Sequence, residues 1–283
     1  MNKIAKRIVQ ILGQQVRGQP FIRLGKGAGL SIATEQEVWP QLTSDGSPFP
    51  LVACSFDGFL ANTAPNYYEA GKRYVEEHVE EGFILPTLEE FRRLHDFEDY
   101  SVLYEFGISR TASFGGVRES YLKILREVER DRPTRLNPWI PEILQDVTKR
   151  FHLVIVTSNR IHDIAGIIKN QAGIEKGFDV VTVSPQNTGL VLGTLADYHH
   201  VHHGSVRIHF PYFCSSVQDA ASAQECGKWV KPFGVVHKNG HVNGDDYFER
   251  SLVRNGATLI TPDQILPVVY GLHSLGCGKF TLS

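Results

Sequence analysis

Three apolar runs in this chain of 283 residues end in clusters of polar residues suited to chemistry. "LVACSFDGFLANT" (51–63) ends its apolar run at Ser55 and Asp57, and Gly58 follows at once. "LVIVTSN" (153–159) ends in Thr157, Ser158 and Asn159, and "YFCSSVQD" (212–219) carries Ser215, Ser216 and Asp219. In open α/β sheets, ligands bind beyond the carboxyl ends of the strands, so these ends are expected to share a cleft. The hydroxyls, the amide and the backbone beside Gly58 offer hydrogen-bond groups to an anion such as phosphate. A serine hydroxyl is a weak nucleophile without an adjacent base. Asp57 lies two residues from Ser55, but no third group that would orient it is visible.

Two other groupings have metal or redox potential. "DYHHVHHG" (197–204) holds His199, His200, His202 and His203. On a helix His199 and His203 are one turn apart and could share a metal, as could His200 and His202 on a strand. No carboxylate or cysteine completes a ligand set, so a solvated, partly helical surface is the expectation. Cys54 and Cys214 precede Ser55 and Ser215. They read either as two buried small apolar residues or, if their strands are neighbours, as a redox or metal pair.

The elements that position these residues follow from pattern. "LVACS", "LVIVTSN", "DVVTV", a strand ending in "YFCSS", "FGVVH" and "ATLI" read as strands. Pro211 removes a backbone donor, so its strand is expected to be short or to start late. Helical patterns lie between the strands. One is "IPEILQDVTKR", another places Ile161, Ile164 and Ile168 on one face, and an alanine-rich stretch at 217–226 has Gly227 as its expected C-cap. Strand and helix alternating in this way predict a three-layer α/β fold with a parallel sheet covered on both faces. "NYYEAGKRYVEEHVEE", "TLEEFRRLHDF" and "VRESYLKILREVER" break the alternation as a helical insert. Before the first strand lies a basic extension with an amphipathic helix (Ile4, Ile8, Ile11, Leu12, Val16) and a glycine-rich stretch, "GQPFIRLGKGAGL", read as a loop.

Composition narrows the class. Hydrophobic residues are 42% and charged residues 21%, as in a globular protein, and a net charge of −2 gives no reason to expect nucleic acid. Four cysteines without CxxC spacing fit a reducing cytoplasm rather than a disulfide framework. No apolar run is long enough for a membrane-spanning helix.

These motifs, in this order, resemble the haloacid dehalogenase (HAD) superfamily, in its phosphoglycolate-phosphatase-like branch with a helical cap. Its first motif, DxDGT(L/V)xDT, is similar to SFDGFLANT, and its second, an apolar strand ending in Thr or Ser, to LVIVTSN. The fourth, roughly GDSxxDxxAAxxAG, is similar to CSSVQDAASAQECG, and "FGVVHKNG…LVRNGATLITPDQIL" resembles the closing strand, loop and helix. The resemblance spans about 50–271. It implies a Rossmann-like core at 50–63 and 136–271 and a cap at 64–135, leaving an extension at 1–49 and a tail at 272–283.

The same resemblance assigns roles and exposes departures. The family's nucleophilic, magnesium-binding aspartate corresponds to Ser55, and its acid/base aspartate is kept as Asp57. Phe59 stands where a threonine is usual. Gly58, Thr157, Ser158 and Asn159 fall at phosphate-binding positions. A metal-binding aspartate of the fourth motif corresponds to Ser215, while Asp219 is kept. The third-motif lysine has no counterpart, because no lysine lies between Lys176 and Lys228. Loss of a nucleophile alone removes about six orders of magnitude in kcat in well-studied enzymes. The expectation is a pseudophosphatase without a cofactor that binds a protein partner, through the N-terminal helix or the cap, or a phosphorylated small molecule. The alternatives are an active magnesium-dependent phosphatase on a small phosphometabolite, and a metal- or redox-linked protein using His199–His203 or Cys54/Cys214.

Overall fold

The computed structural model describes residues 23–24, 51–78, 86–88, 90–91, 114–157, 163–182, 188–203, 210–226, 230–236 and 246–274. Six parallel strands form the core of a sheet: β2 (Leu51–Ser55), β3 (His152–Thr157), β4 (Phe178–Thr182), β5 (Phe210–Cys214), β6 (Val230–Val235) and β7 (Thr258–Ile260). A seventh, β1 (Arg23–Leu24), pairs antiparallel with β4, and the order is β1-β4-β3-β2-β5-β6-β7. β2 to β5 are buried along their whole length. That explains why they read as continuous apolar runs rather than as alternating ones.

Helices cover both faces. α3 (Ile140–Arg150), α4 (Ile164–Ala172) and α8 (Ile265–Ser274) pack on one side through Ile143, Leu144, Ile168 and Val269. On the other, α5 (Thr188–His203), α6 (Val217–Glu225) and α7 (Asp246–Arg254) bury Leu192, Ala223 and Leu252. α3 starts with Pro141 in its first turn, and α4 is capped by Asp163, whose side chain accepts from the Gly166 N–H. Gly173 closes α4 in the left-handed conformation at φ 71°, where a side chain would be strained.

The insert contributes α1 (Ala64–His78) and α2 (Phe114–Asp131), which pack on each other through Tyr67, Tyr74, Tyr121 and Leu125. Thr87 begins the segment read as "TLEEFRRLHDF" and exchanges side-chain and backbone hydrogen bonds with Glu90, a helix-start signature.

Two expectations need correction. Arg23 and Leu24, within the stretch read as a loop, form an edge strand, because the margin of β4 offers unpaired backbone groups there. β5 begins at Phe210, ahead of Pro211, and five residues pair with β6. Only Tyr212 and Phe213 pair with β2, so the missing donor costs no ladder bond on that side. α6 ends at Glu225 with Cys226 as its cap residue, one position before Gly227. Gly227, Ile161 and the N-terminal helix lie outside the described residues.

Candidate active site

β2 is flanked by β3 and β5: the chain runs from β2 outward through β3 and β4, then crosses back to lay β5 on the other side of β2, so the strand order reverses there. A crevice at the carboxyl end of such a reversal is the ordinary ligand position in an open α/β sheet. Ser55 ends β2, Thr157 ends β3, and Ser215 follows β5, so all three meet there. Ser55 is 4% exposed, Thr157 6%, Ser215 7% and Asp219 5%, which makes each a buried polar group in need of a partner.

The loop after β2 is tightly wound. The Leu60 and Ala61 amides both donate to the Phe56 carbonyl, and the Gly58 amide donates to Ala61 O at 2.8 Å. Gly58 has φ 77°, and a Cβ there would lie 2.8 Å from the Ser215 Cβ. Glycine is therefore required twice, by the backbone and by the approach of the β5 loop. That approach joins the first and third polar clusters across 157 residues of sequence (215 − 58).

Asp57 lies at the centre of a hydroxyl network. Thr63 Oγ1 donates to its Oδ1 at 2.7 Å and Thr157 Oγ1 to its Oδ2 at 3.3 Å. Ser55 Oγ makes a long 3.4 Å contact with the main-chain oxygen of Asp57 rather than with its carboxylate. In this geometry Asp57 is not positioned as a base for Ser55. Ser216 caps α6 by accepting from the Asp219 N–H at 3.0 Å, which holds Asp219 in the first helical turn, where the helix dipole favours a negative charge. Burial, and then the charge of Asp219, push the Cys54 thiol well above its usual range.

Among the described residues, those at this end of the sheet do not make up a magnesium site. Magnesium takes near-octahedral oxygen ligands and draws on carboxylates. Ser55 and Ser215 offer neutral hydroxyls, and Asp57 accepts from two threonines. Among the described residues, no group of three or more His, Cys, Asp or Glu is gathered to hold a metal.

Cys54 and Cys214 are neighbours in the sheet but not in space-filling terms. Cys54 is in register with Phe213 and belongs to the core on one face, while Cys214 belongs to the core on the other. Side chains alternate faces along a strand, so an offset of one residue sends the two thiols to opposite sides. The alternative reading of a redox or metal pair is thereby ruled out for these two residues, which instead pack as small apolar groups in separate cores. His199–His203 falls within α5, but its side chains lie outside the described residues, as do Ser158 and Asn159.

Two further site residues escaped sequence reasoning. Thr63 stood inside the quoted motif, and only the fold shows it bound to Asp57. Asn137 is 79 residues from Gly58, yet its Nδ2 donates to the Gly58 and Phe59 carbonyls at 3.1 and 2.7 Å and holds the loop in shape. The one sequence hint was a turn-forming Asn-Pro at the return from the insert.

Comparison with known proteins agrees with this fold. Residues 55–189 match the family model described as haloacid dehalogenase-like hydrolase. A candidate β-phosphoglucomutase from Thermotoga maritima is 23% identical with a TM-score of 0.54, over 78% of this chain and 99% of that one. A haloacid dehalogenase-like family hydrolase from Streptococcus pneumoniae is 14% identical with a TM-score of 0.56, over 78% and 98%. CbbY from Rhodobacter sphaeroides, solved with phosphate, is 13% identical with a TM-score of 0.52, over 75% and 92%. No curated protein matches. Over residues 55–189 the chain is similar to the haloacid dehalogenase-like hydrolase family, and its strand order and switch-point cleft agree with the fold of these neighbours.

Proposed function

We propose that this protein is a pseudophosphatase: a haloacid dehalogenase-like protein that holds a phosphorylated small molecule or a protein partner in or near its old cleft without turning it over. One observation carries the reading. At the switch point, the two positions from which the family draws an attacking and a metal-binding aspartate are Ser55 and Ser215, both buried and both neutral. Without a carboxylate at the end of β2 no acyl-phosphate forms there. Without a divalent cation or a lysine, little would offset charge on a transferring phosphoryl group. Gly58, Thr157 and the neighbouring Ser158 and Asn159 would then offer backbone, hydroxyl and amide donors to a bound anion, while Asp57 would orient the threonine hydroxyls rather than transfer a proton. We further propose a cytoplasmic setting and no nucleic-acid partner, with protein contacts through the N-terminal helix or the cap.

The second reading is an active phosphatase, favoured by the hydrolase family model and by a structural neighbour solved with phosphate. The two are separated by assaying purified protein with magnesium against p-nitrophenyl phosphate and a panel of phosphometabolites. The expected outcome is no turnover above that of Asp57→Asn. Turnover that Asp57→Asn abolishes would establish the phosphatase instead. Titration with orthophosphate then tests whether the cleft still binds an anion.

A further inference from the structure

The chain crosses from core to insert at residues 58–63 and returns at 132–137, and the two crossings are bound to each other. Ala61 bridges Leu136 antiparallel, the Asn137 amide donates to Leu60 O at 2.8 Å, and the Asn137 side chain holds the Gly58 and Phe59 carbonyls. The return strand is also gripped from outside by both bodies that it connects. On the core side, Gln171, in the last turn of α4, uses its carboxamide as a strand edge would. It accepts from the Leu136 N–H at 2.9 Å and donates to the Thr134 carbonyl at 3.0 Å.

On the insert side, Glu129 of α2 accepts from the Thr134 hydroxyl at 2.9 Å and the Thr134 amide at 3.1 Å. Asn66 of α1 reaches Glu129 Oε1 at 2.7 Å, the Arg132 carbonyl at 2.9 Å and Thr134 Oγ1 at 3.3 Å. Asn66, Thr134 and Asn137 are all buried, so rotation at this hinge would strip partners from groups that water does not readily reach.

We infer that Gln171, Asn137, Asn66 and Glu129 form a clamp that fixes the orientation of the α1–α2 pair against the core and ties it to the Asp57–Gly58 loop. The clamp is independent of whether the cleft turns over a substrate. Its effect is to hold the cap and the cleft loop as one unit, so that the crossings do not act as a free hinge. Thr134 is the shared element: its side chain and amide belong to the insert network, and its carbonyl belongs to Gln171.

Amide hydrogen exchange on the full chain tests this, with Gln171→Ala as the main variant because Gln171 is exposed and its loss removes no core packing. In the native protein the Leu136 and Asn137 amides are expected to be strongly protected. In Gln171→Ala, exchange across 134–137 is expected to quicken roughly tenfold. The amides inside α1, α2 and β3 should keep their native rates, which separates a loosened hinge from unfolding. Gln171→Glu keeps the acceptor but not the donor and is expected to fall between the two. Random-coil exchange at Leu136 and Asn137 in the native protein, no change in Gln171→Ala, or uniform acceleration throughout the core would each overturn the clamp.

Discussion

The two ends of the sheet treat buried polar groups differently. At the amino end, His152 opens β3 and Asp179 lies in β4, with Nε2 and Oδ2 2.6 Å apart and side-chain exposures of only 9% and 8%. At the carboxyl end, Asp57 accepts from Thr63 and Thr157, while Ser55 and Ser215 are hydroxyls. The contrast shows that this core accepts buried carboxylates where the protein itself supplies a fixed donor. Ser55 and Ser215, by contrast, bring no charge to this end of the sheet.

The largest effect that tests this contrast is expected at the amino end. Asp179→Ala removes a fixed partner from buried His152 and should cost about 3 kcal/mol, read as a lower denaturant midpoint at an unchanged m-value. At the cleft, Ser55→Asp combined with Ser215→Asp puts two carboxylates where the described residues provide no fitted cation site. In metal-free buffer at pH 7 this should cost about 2 kcal/mol. Burial raises the folded pKa of such acids, so the penalty should fade below pH ~4, where both states are protonated. If millimolar magnesium gave back that stability, the cleft would be an intact metal site lacking only its ligands, and the contrast would be sharpened to two residues.

Gly58→Ala comes next. It strains a positive φ and drives a methyl group against Ser215, and should cost about 1–2 kcal/mol, measured by thermal unfolding. The smallest effect concerns Cys226, whose Sγ donates to the Gly189 carbonyl. Burial, with a smaller contribution from Glu225, pushes this thiol up to about 11. A raised folded pKa means that stability is fully present below about 9 and falls as pH rises toward 11. The unfolding midpoint should decline across that window, and Cys226→Ala should flatten the decline. Alkylation of Cys226 in the native protein at neutral pH should be slow.

Pattern alone located most of this molecule. Apolar runs bounded by turn residues marked the strands because a parallel sheet covered on both faces buries every side chain along them. Alternation with helical stretches implied the layered sheet. The polar residues at the ends of β2, β3 and β5 were legible as a site because each stands where its apolar run stops. The presence of neutral Ser55 and Ser215 among those residues is likewise a property of the sequence that no packing changes.

The tertiary structure decided what depends on register and on distant partners. Cys54 and Cys214 were adjacent on the assumption of neighbouring strands, and a one-residue offset places them on opposite faces. The roles of Asn137, Gln171 and Thr63 carry no sequence signal, because an amide or hydroxyl acquires its role from the carbonyl or carboxylate that it meets. For Asn137 and Gln171 those partners lie tens of residues away. Local sequence fixes backbone preference and apolar period over a few residues. Which long-range groups complete a hydrogen bond is settled only when the sheet, its crossings and the insert have closed around them.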